Sequence, residues 1–350
     1  MTKQLFPPFH DFPYPRIVGW ISTLTCNLKC VHCYPATGVV GTKELTTEEF
    51  KGCISEFASV GCRTIFMSGG EPLLKGDLLE LIKHGTDEGI IMFLCTNATL
   101  LSEKRGRQLK DAGLQGVFVG LEGTNPETVD MFSGVKGTLE RKIEGMKGSL
   151  KAGLPTSVDF VCTAYNYHEL EDVINLARRL HINGFSLKRF VPAGRGKEHM
   201  DDLWVEPEQY QEVINTYCNH VLASDGMEFG AHEPLVTGRL TEIKPKTHYM
   251  STCYVGVWCG MTHCGDVLPC PMMPIKIGNL RGEPLKDMWR NSPVIAHLKD
   301  KDLLKGQCGA CELRNSCGGC RASAYALTGD YLAQDTSCWK VSRSDKGKSG

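Results

Sequence analysis

The chain has 350 residues, 41% of them hydrophobic and 23% charged, and a formal net charge of −1. That composition suits a globular protein large enough for one α/β barrel and a small second module. It provides no net field to recruit nucleic acid or an anionic membrane, no 18-residue apolar run to span a bilayer, and no signal-like segment in MTKQLFPPFHDFPYPR, so the expected location is cytoplasmic.

In chain order, RIVGWISTL (16–24), RTIFMSG (63–69), GIIMFLCTN (89–97), GVFVGLEG (116–123), TSVDFVCTA (156–164) and GFSLKRF (184–190) read as buried parallel strands. Helical patterns lie between them. TTEEFKGCISEFASV (46–60) opens on a Thr that can cap and has Glu48 and Glu49 in the first turn; 76–88, 102–113 and 167–181 follow the same logic. The alternation predicts an α/β fold, a partial (β/α)6 TIM-like barrel whose chemistry sits at the C-terminal strand ends. After Phe190 comes the turn-rich VPAGRGKEHMDDLW, then a helix over 206–224. The expected divisions are an N-terminal extension (1–15), the barrel (16–230), a cysteine-rich module (231–342) and a disordered polar tail (343–350).

Seventeen cysteines in a large chain without a secretory signal argue for metal or catalysis rather than disulfides. Cys53, Cys62, Cys95, Cys162 and Cys218 sit in apolar patterns and read as buried small hydrophobes. Cys26, Cys30 and Cys33 form C-x3-C-x2-C directly after the first strand, on the catalytic rim. Three thiolates can hold a [4Fe-4S] cluster with one iron open, or a zinc knuckle with His32 as fourth ligand. MSGGEP (67–72) follows the second strand on the same rim; its adjacent glycines allow close backbone approach, or simply make a strand–helix turn. Nine more cysteines lie from Cys253 to Cys338: Cys253, Cys259, Cys264 and Cys270, then Cys308, Cys311, Cys317 and Cys320, with Cys338 last. Eight thiolates suffice for two cubane clusters or for a pair of zinc ribbons.

CNLKCVHC together with MSGGEP resembles the radical S-adenosylmethionine enzymes over residues 16 to about 190. The resemblance implies that the open iron is chelated by the methionine part of S-adenosylmethionine, and that an electron from the cluster cleaves the cofactor to a 5′-deoxyadenosyl radical. It implies cofactor contacts from Met67, from Gly69, Gly70 and Glu71 to the amino group, from His32 to the adenine, and from Asn97 to the ribose or methionine part. Gly120-Leu121-Glu122 departs from the family's Ser-x-acid pattern, which puts the ribose contact there in question.

The later cysteines resemble the SPASM extension with its two auxiliary clusters. Carried over, one cluster takes Cys253, Cys259, Cys270 and Cys320, and the other Cys308, Cys311, Cys317 and Cys338. Cys264 competes with Cys259, and the spacing C-x2-C at Cys317–Cys320, where C-x3-C is commonest, leaves room for an open iron in the first. The implied cofactors are S-adenosylmethionine and three [4Fe-4S] clusters, served by a flavodoxin- or ferredoxin-like electron donor.

CGGCRASAYALTGDYLAQDTSC and RFVPAGRG resemble a narrower group that includes the pyrroloquinoline quinone synthesis and alternative haem-biosynthesis enzymes. This implies an anionic substrate, expected to be a tetrapyrrole, met by Lys188, Arg189 and Arg195 at the end of strand six. Arginine forks suit carboxylates, although these cations can equally pair with local acids. A peptide-modifying maturase is the alternative; such enzymes often carry a leader-binding domain, and only about 15 residues precede strand one here. An iron–sulfur electron carrier would explain the cysteines but not MSGGEP or the barrel.

Overall fold

The computed structural model describes residues 12–38, 43–223, 226–231, 233–244, 253 and 255–341. The six expected strands all form: β1 (Ile17–Thr23), β2 (Thr64–Gly69), β3 (Ile91–Thr96), β4 (Gly116–Gly120), β5 (Thr156–Cys162) and β6 (Gly184–Arg189). Four more join the same sheet: β7 (Glu228–Ala231), β8 (Trp258–Met261), β9 (Asp266–Leu268) and β10 (Gly278–Asn279). The order is β10-β9-β8-β1-β2-β3-β4-β5-β6-β7. β8 through β7 are parallel, and β9 and β10 turn back antiparallel. The expected division at 230 falls inside β7, and the cysteine-rich module continues the sheet beside β1. The proposed tail 343–350 lies outside the described residues, as do residues 1–11 of the extension.

Helices cover one face of this open part-barrel. Thr46 and Glu49 complete the capping box of the helix Thr47–Ser59, which packs Phe50 on Trp20 at 4.9 Å between ring centroids. Two helices that the periodicity did not signal, Pro126–Ser133 and Thr138–Lys151, join β4 to β5. No helix among the described residues is long and apolar enough to cross a membrane.

The other face is the barrel interior. Phe66 stacks on Phe93 at 5.1 Å and on Trp258 at 5.4 Å, with Phe118 edge-on at 5.3 Å, forming an aromatic floor. Side chains alternate along each strand, so Ser68, Cys95, Asp159 and Lys188 project into the interior above that floor. Cys95 is therefore half-buried inside the barrel rather than in the core; Cys53, Cys62, Cys162 and Cys218 are buried as expected.

Candidate active site

The loop after β1 carries Cys26, Cys30 and Cys33. Its base closes by Gly38 N–H donating to the Leu24 carbonyl at 2.8 Å, and it docks on the Pro126–Ser133 helix through Lys29 N–H to Ser133 O (2.8 Å) and Val31 N–H to Phe132 O (2.9 Å). The loop after β6 holds it from the other side. Arg195 donates to the carbonyls of Cys30 at 2.8 Å and Thr37 at 2.5 Å, and its own N–H bonds Cys33 O at 3.0 Å. Arg195 thus positions the cysteine loop, which corrects its expected place among the substrate cations. The three thiols are electrostatic neighbours, and burial pushes Cys30 up to about 12, so iron must displace protons to bind there.

MSGGEP lies against the start of this loop. Gly70 N–H donates to Thr23 O at 2.7 Å and Glu71 N–H to Thr25 O at 2.8 Å. A Cβ on Gly69 would stand 2.4 Å from Thr23 O, and one on Gly70 2.0 Å from Thr25 O, so both glycines are needed for backbone-to-backbone approach. Gly69 also has φ +127°, a left-handed value. The buried Glu71 carboxylate accepts from Leu73 N–H (3.0 Å), Thr96 Oγ1 (2.7 Å) and Asn97 N–H (2.9 Å), tying the ends of β2 and β3 together. Asn97 in turn donates to Asn27 Oδ1 at 2.9 Å and accepts from Thr99. Met67, expected at the cofactor, is fully buried and points away from the interior, because Phe66 occupies that face.

His32 lies edge-on to Phe132 at 5.4 Å, with Nε2 4.0 Å from Glu122. Burial lowers its pKa despite the opposing pull of Glu122. Its Nδ1 is buried and has no hydrogen-bond partner among the described residues. At the Gly120-Leu121-Glu122 departure, the Glu122 carboxylate is bonded to Lys142, which also donates to Gly120 O at 2.8 Å. Burial alone would raise Glu122; the Lys142 ammonium and His32 outweigh it and hold it below the usual carboxylate range.

Of the three strand-six cations, one faces the interior. Lys188 Nζ stands 3.6 Å from Asp159 Oδ1. Arg189 points to the opposite face and is 6% exposed. It forks Glu233, with Nε to Oε2 at 2.5 Å, and binds Asp335 at 2.7 and 2.9 Å. Its expected role at the substrate is thereby corrected: two buried carboxylates already use its donors.

Asp335 links these charges to the later cysteines. It accepts from Cys320 N–H at 2.8 Å, and its own N–H donates to Cys308 Sγ at 3.3 Å. The principal thiol neighbours form two sets. Cys253 is beside Cys270 and Cys320, and Cys308 is beside Cys317 and Cys338. Cys311 lies next to Lys340. Of the first set, Cys259 neighbours Cys270 alone. It alternates with Trp258 and Gly260, whose interior faces meet Phe66 and the Cys270–Pro271 backbone, so its sulfur lies on the helix side, with Cys62 and then Cys270 as its thiol neighbours. Cys264 bonds Thr262 and Asp266 instead.

These residues fit the implied cofactors. The unpartnered His32 Nδ1 leaves a buried polar atom for a ligand to meet, and the buried Lys301 ammonium, among cysteine thiols and without a hydrogen-bond partner among the described residues, suits an anionic cluster. Lys142, Asp335, Glu233 and Lys301 were not singled out from the sequence; isolated charges carry no spacing signal, although Asp335 stands three residues before Cys338.

Among known proteins, the chain matches the Radical SAM superfamily over residues 20–180 and SPASM, an iron-sulfur cluster-binding domain, over 253–312. It is 36% identical over 338 residues to the AdoMet-dependent heme synthase of Methanosarcina barkeri, a match spanning 93% of this chain and 96% of that protein. It is 30% identical over 341 residues to the PqqA peptide cyclase of Bradyrhizobium diazoefficiens, spanning 93% and 87%. In fold it is similar to Streptococcus suis SuiB bound to precursor peptide SuiA (TM-score 0.77, 16% identical, 94% of this chain and 77% of that one). It also resembles anSMEcpe with bound AdoMet (TM-score 0.68, 18% identical, 90% and 93%). The chain belongs to the radical SAM enzymes that carry a SPASM domain.

Proposed function

We propose that this enzyme modifies carboxylate-bearing side chains of a tetrapyrrole. The observation that carries the reading is the end-to-end similarity to an AdoMet-dependent heme synthase at 36% identity. The interior chemistry is compatible with it. The aromatic floor of Phe66, Phe93, Phe118 and Trp258 offers an apolar bed for a macrocycle, and Lys188 offers one ammonium to a carboxylate. We assign the cofactor-chelating cluster to Cys26, Cys30 and Cys33, and two auxiliary clusters to the later cysteines, the first held by Cys253, Cys270 and Cys320 with one iron position open. When bound, the first cluster would supply the electron for reductive cleavage of S-adenosylmethionine; the hard chemistry belongs to the cofactor. The chain's own residues do the rest. Arg195 fixes the cysteine loop, Gly69 and Gly70 bring β2 against it, His32 meets the adenine, and the floor excludes water. The donor we assign is a small flavodoxin- or ferredoxin-like protein, since the chemistry needs electrons one at a time. The second reading, a peptide maturase, is favoured by the 30% identity to a PqqA peptide cyclase.

Reconstituted protein, incubated anaerobically with dithionite and S-adenosylmethionine, should change the mass of an iron-bound carboxylated tetrapyrrole and leave ribosomal precursor peptides intact. Lys188→Met should weaken tetrapyrrole turnover roughly 10-fold or more, as for the loss of a charged hydrogen bond, while cofactor cleavage without substrate continues. A modified peptide beside an unchanged tetrapyrrole would overturn the reading.

A further inference from the structure

Lys301 opens a short 3-10 turn, Lys301–Leu303, in the cysteine-rich module. Its side chain runs inward: the residue is 8% exposed, and the ammonium has no hydrogen-bond partner among the described residues. Its electrostatic neighbours are the thiol of Cys253, the guanidinium of Arg321, and the thiols of Cys317 and Cys308. Cys253 falls in the first auxiliary set and Cys308 and Cys317 in the second, so one ammonium stands between both. The backbone is shaped around it. Gly318 and Gly319, between Cys317 and Cys320, both have left-handed φ, +70° and +63°, and a Cβ on Gly318 would lie 3.2 Å from Lys301 Nζ. Arg321 is also fully buried, but its donors are used: Nη1 bonds Ala333 O at 2.6 Å and Tyr331 O at 3.0 Å, and Nη2 reaches Cys308 Sγ at 3.6 Å. The Arg189 guanidinium is held by Glu233 and Asp335. Lys301 has no such compensation.

An unpaired buried ammonium is among the most unfavourable groups a protein can hold, and deleting its charge would be the simplest remedy. Its presence here has a physical reason if its partner is not protein. A cubane cluster on thiolates is anionic, and its potential responds to net charge and to hydrogen bonds at its sulfurs.

We infer that Lys301 is the shared counter-charge of the two auxiliary clusters, donating N–H to their sulfurs and raising their reduction potentials. This rests on the auxiliary-cluster assignment above. A cation beside a cluster stabilises the reduced, more negative state, so removing it must move the couple downward. Lys301 is a positioning and tuning residue, not one that touches substrate.

The test is a spectroelectrochemical and EPR redox titration of the reconstituted full-length protein, with iron and zinc counted on the same samples. Lys301→Met and Lys301→Gln should each lower the auxiliary potentials by an amount equal to at least tenfold in the reduction equilibrium, about 59 mV for a one-electron couple. Lys301→Arg should stay near wild type. Loss of auxiliary iron in both neutral variants, with full loading in Lys301→Arg, also supports a counter-charge. Unchanged potentials in the neutral variants overturn the inference, as does a fall in Lys301→Arg as large as theirs or iron loss in all three, which would mark a steric role. Zinc in place of auxiliary iron in wild type would overturn the cluster assignment itself and the inference with it.

Discussion

Lys188 and Arg189 are consecutive residues at the end of β6, and the pleat sends them to opposite faces. The sequence marks both as cations at a catalytic strand end but not which one looks inward; that phase is set by partners 44 and 146 residues away, Glu233 and Asp335. Removing one member of a buried ionic network costs about 3–5 kcal/mol, because the remaining charges are left uncompensated. Arg189→Met should therefore destabilise the fold by that order, read from anaerobic urea unfolding. The pH dependence tests the cause. Burial alone would raise Asp335, but Arg189 holds it below the usual range. A carboxylate so depressed contributes stability that is complete above its unfolded value, about 3.9, and is lost as pH falls through the lower folded value. The gap between wild type and Arg189→Met should hold from about pH 7 to about 4 and narrow below that, as Asp335 takes up its proton. A gap that stays constant would place the effect in packing rather than charge.

At the level of elements, the strands were legible because long apolar runs bounded by turns are what a covered parallel sheet needs. β7 and β8, each four residues long, are too short to announce themselves. The helix Thr138–Lys151 was not anticipated for a different reason. Its inward face carries Gly145, Gly148 and Lys142 where an amphipathic pattern would show large apolar residues. The glycines are there for contact: a Cβ on Gly145 would lie 2.0 Å from Ala98 O, and one on Gly148 2.8 Å from Glu103 N. Gly145→Ala accordingly sets two effects against each other. Helix propensity favours alanine by about 1 kcal/mol. Overpacking against backbone, which has no rotamer to yield, costs about 1–3 kcal/mol, and at this distance the upper end applies. The variant should melt below wild type by calorimetry; a higher melting temperature would mean that the Ala98 loop yields easily.

Across the whole molecule, β8 pairs with β1, so the strand that leads into the cysteine loop is also the strand on which the cysteine-rich module is built. The radical motif was legible because its residues are close in sequence and its spacing is rigid. The auxiliary sets were only partly so. Spacing groups the cysteines, but Cys259 is turned to the helix side by strand alternation, which spacing cannot express. Three cubane clusters would bring about 12 iron atoms per chain, and the Cys26, Cys30 and Cys33 triple alanine variant should keep about eight. A chain with about four irons and added zinc would refute the auxiliary assignment. Every later step depends on the loop between β1 and the helix Thr47–Ser59 performing reductive cleavage of S-adenosylmethionine. The direct measurement is anaerobic release of 5′-deoxyadenosine, quantified by liquid chromatography for reconstituted wild type and Cys30→Ala under dithionite. Wild type should release it and Cys30→Ala should not; equal release by both, or none by wild type with its iron in place, would contradict the account.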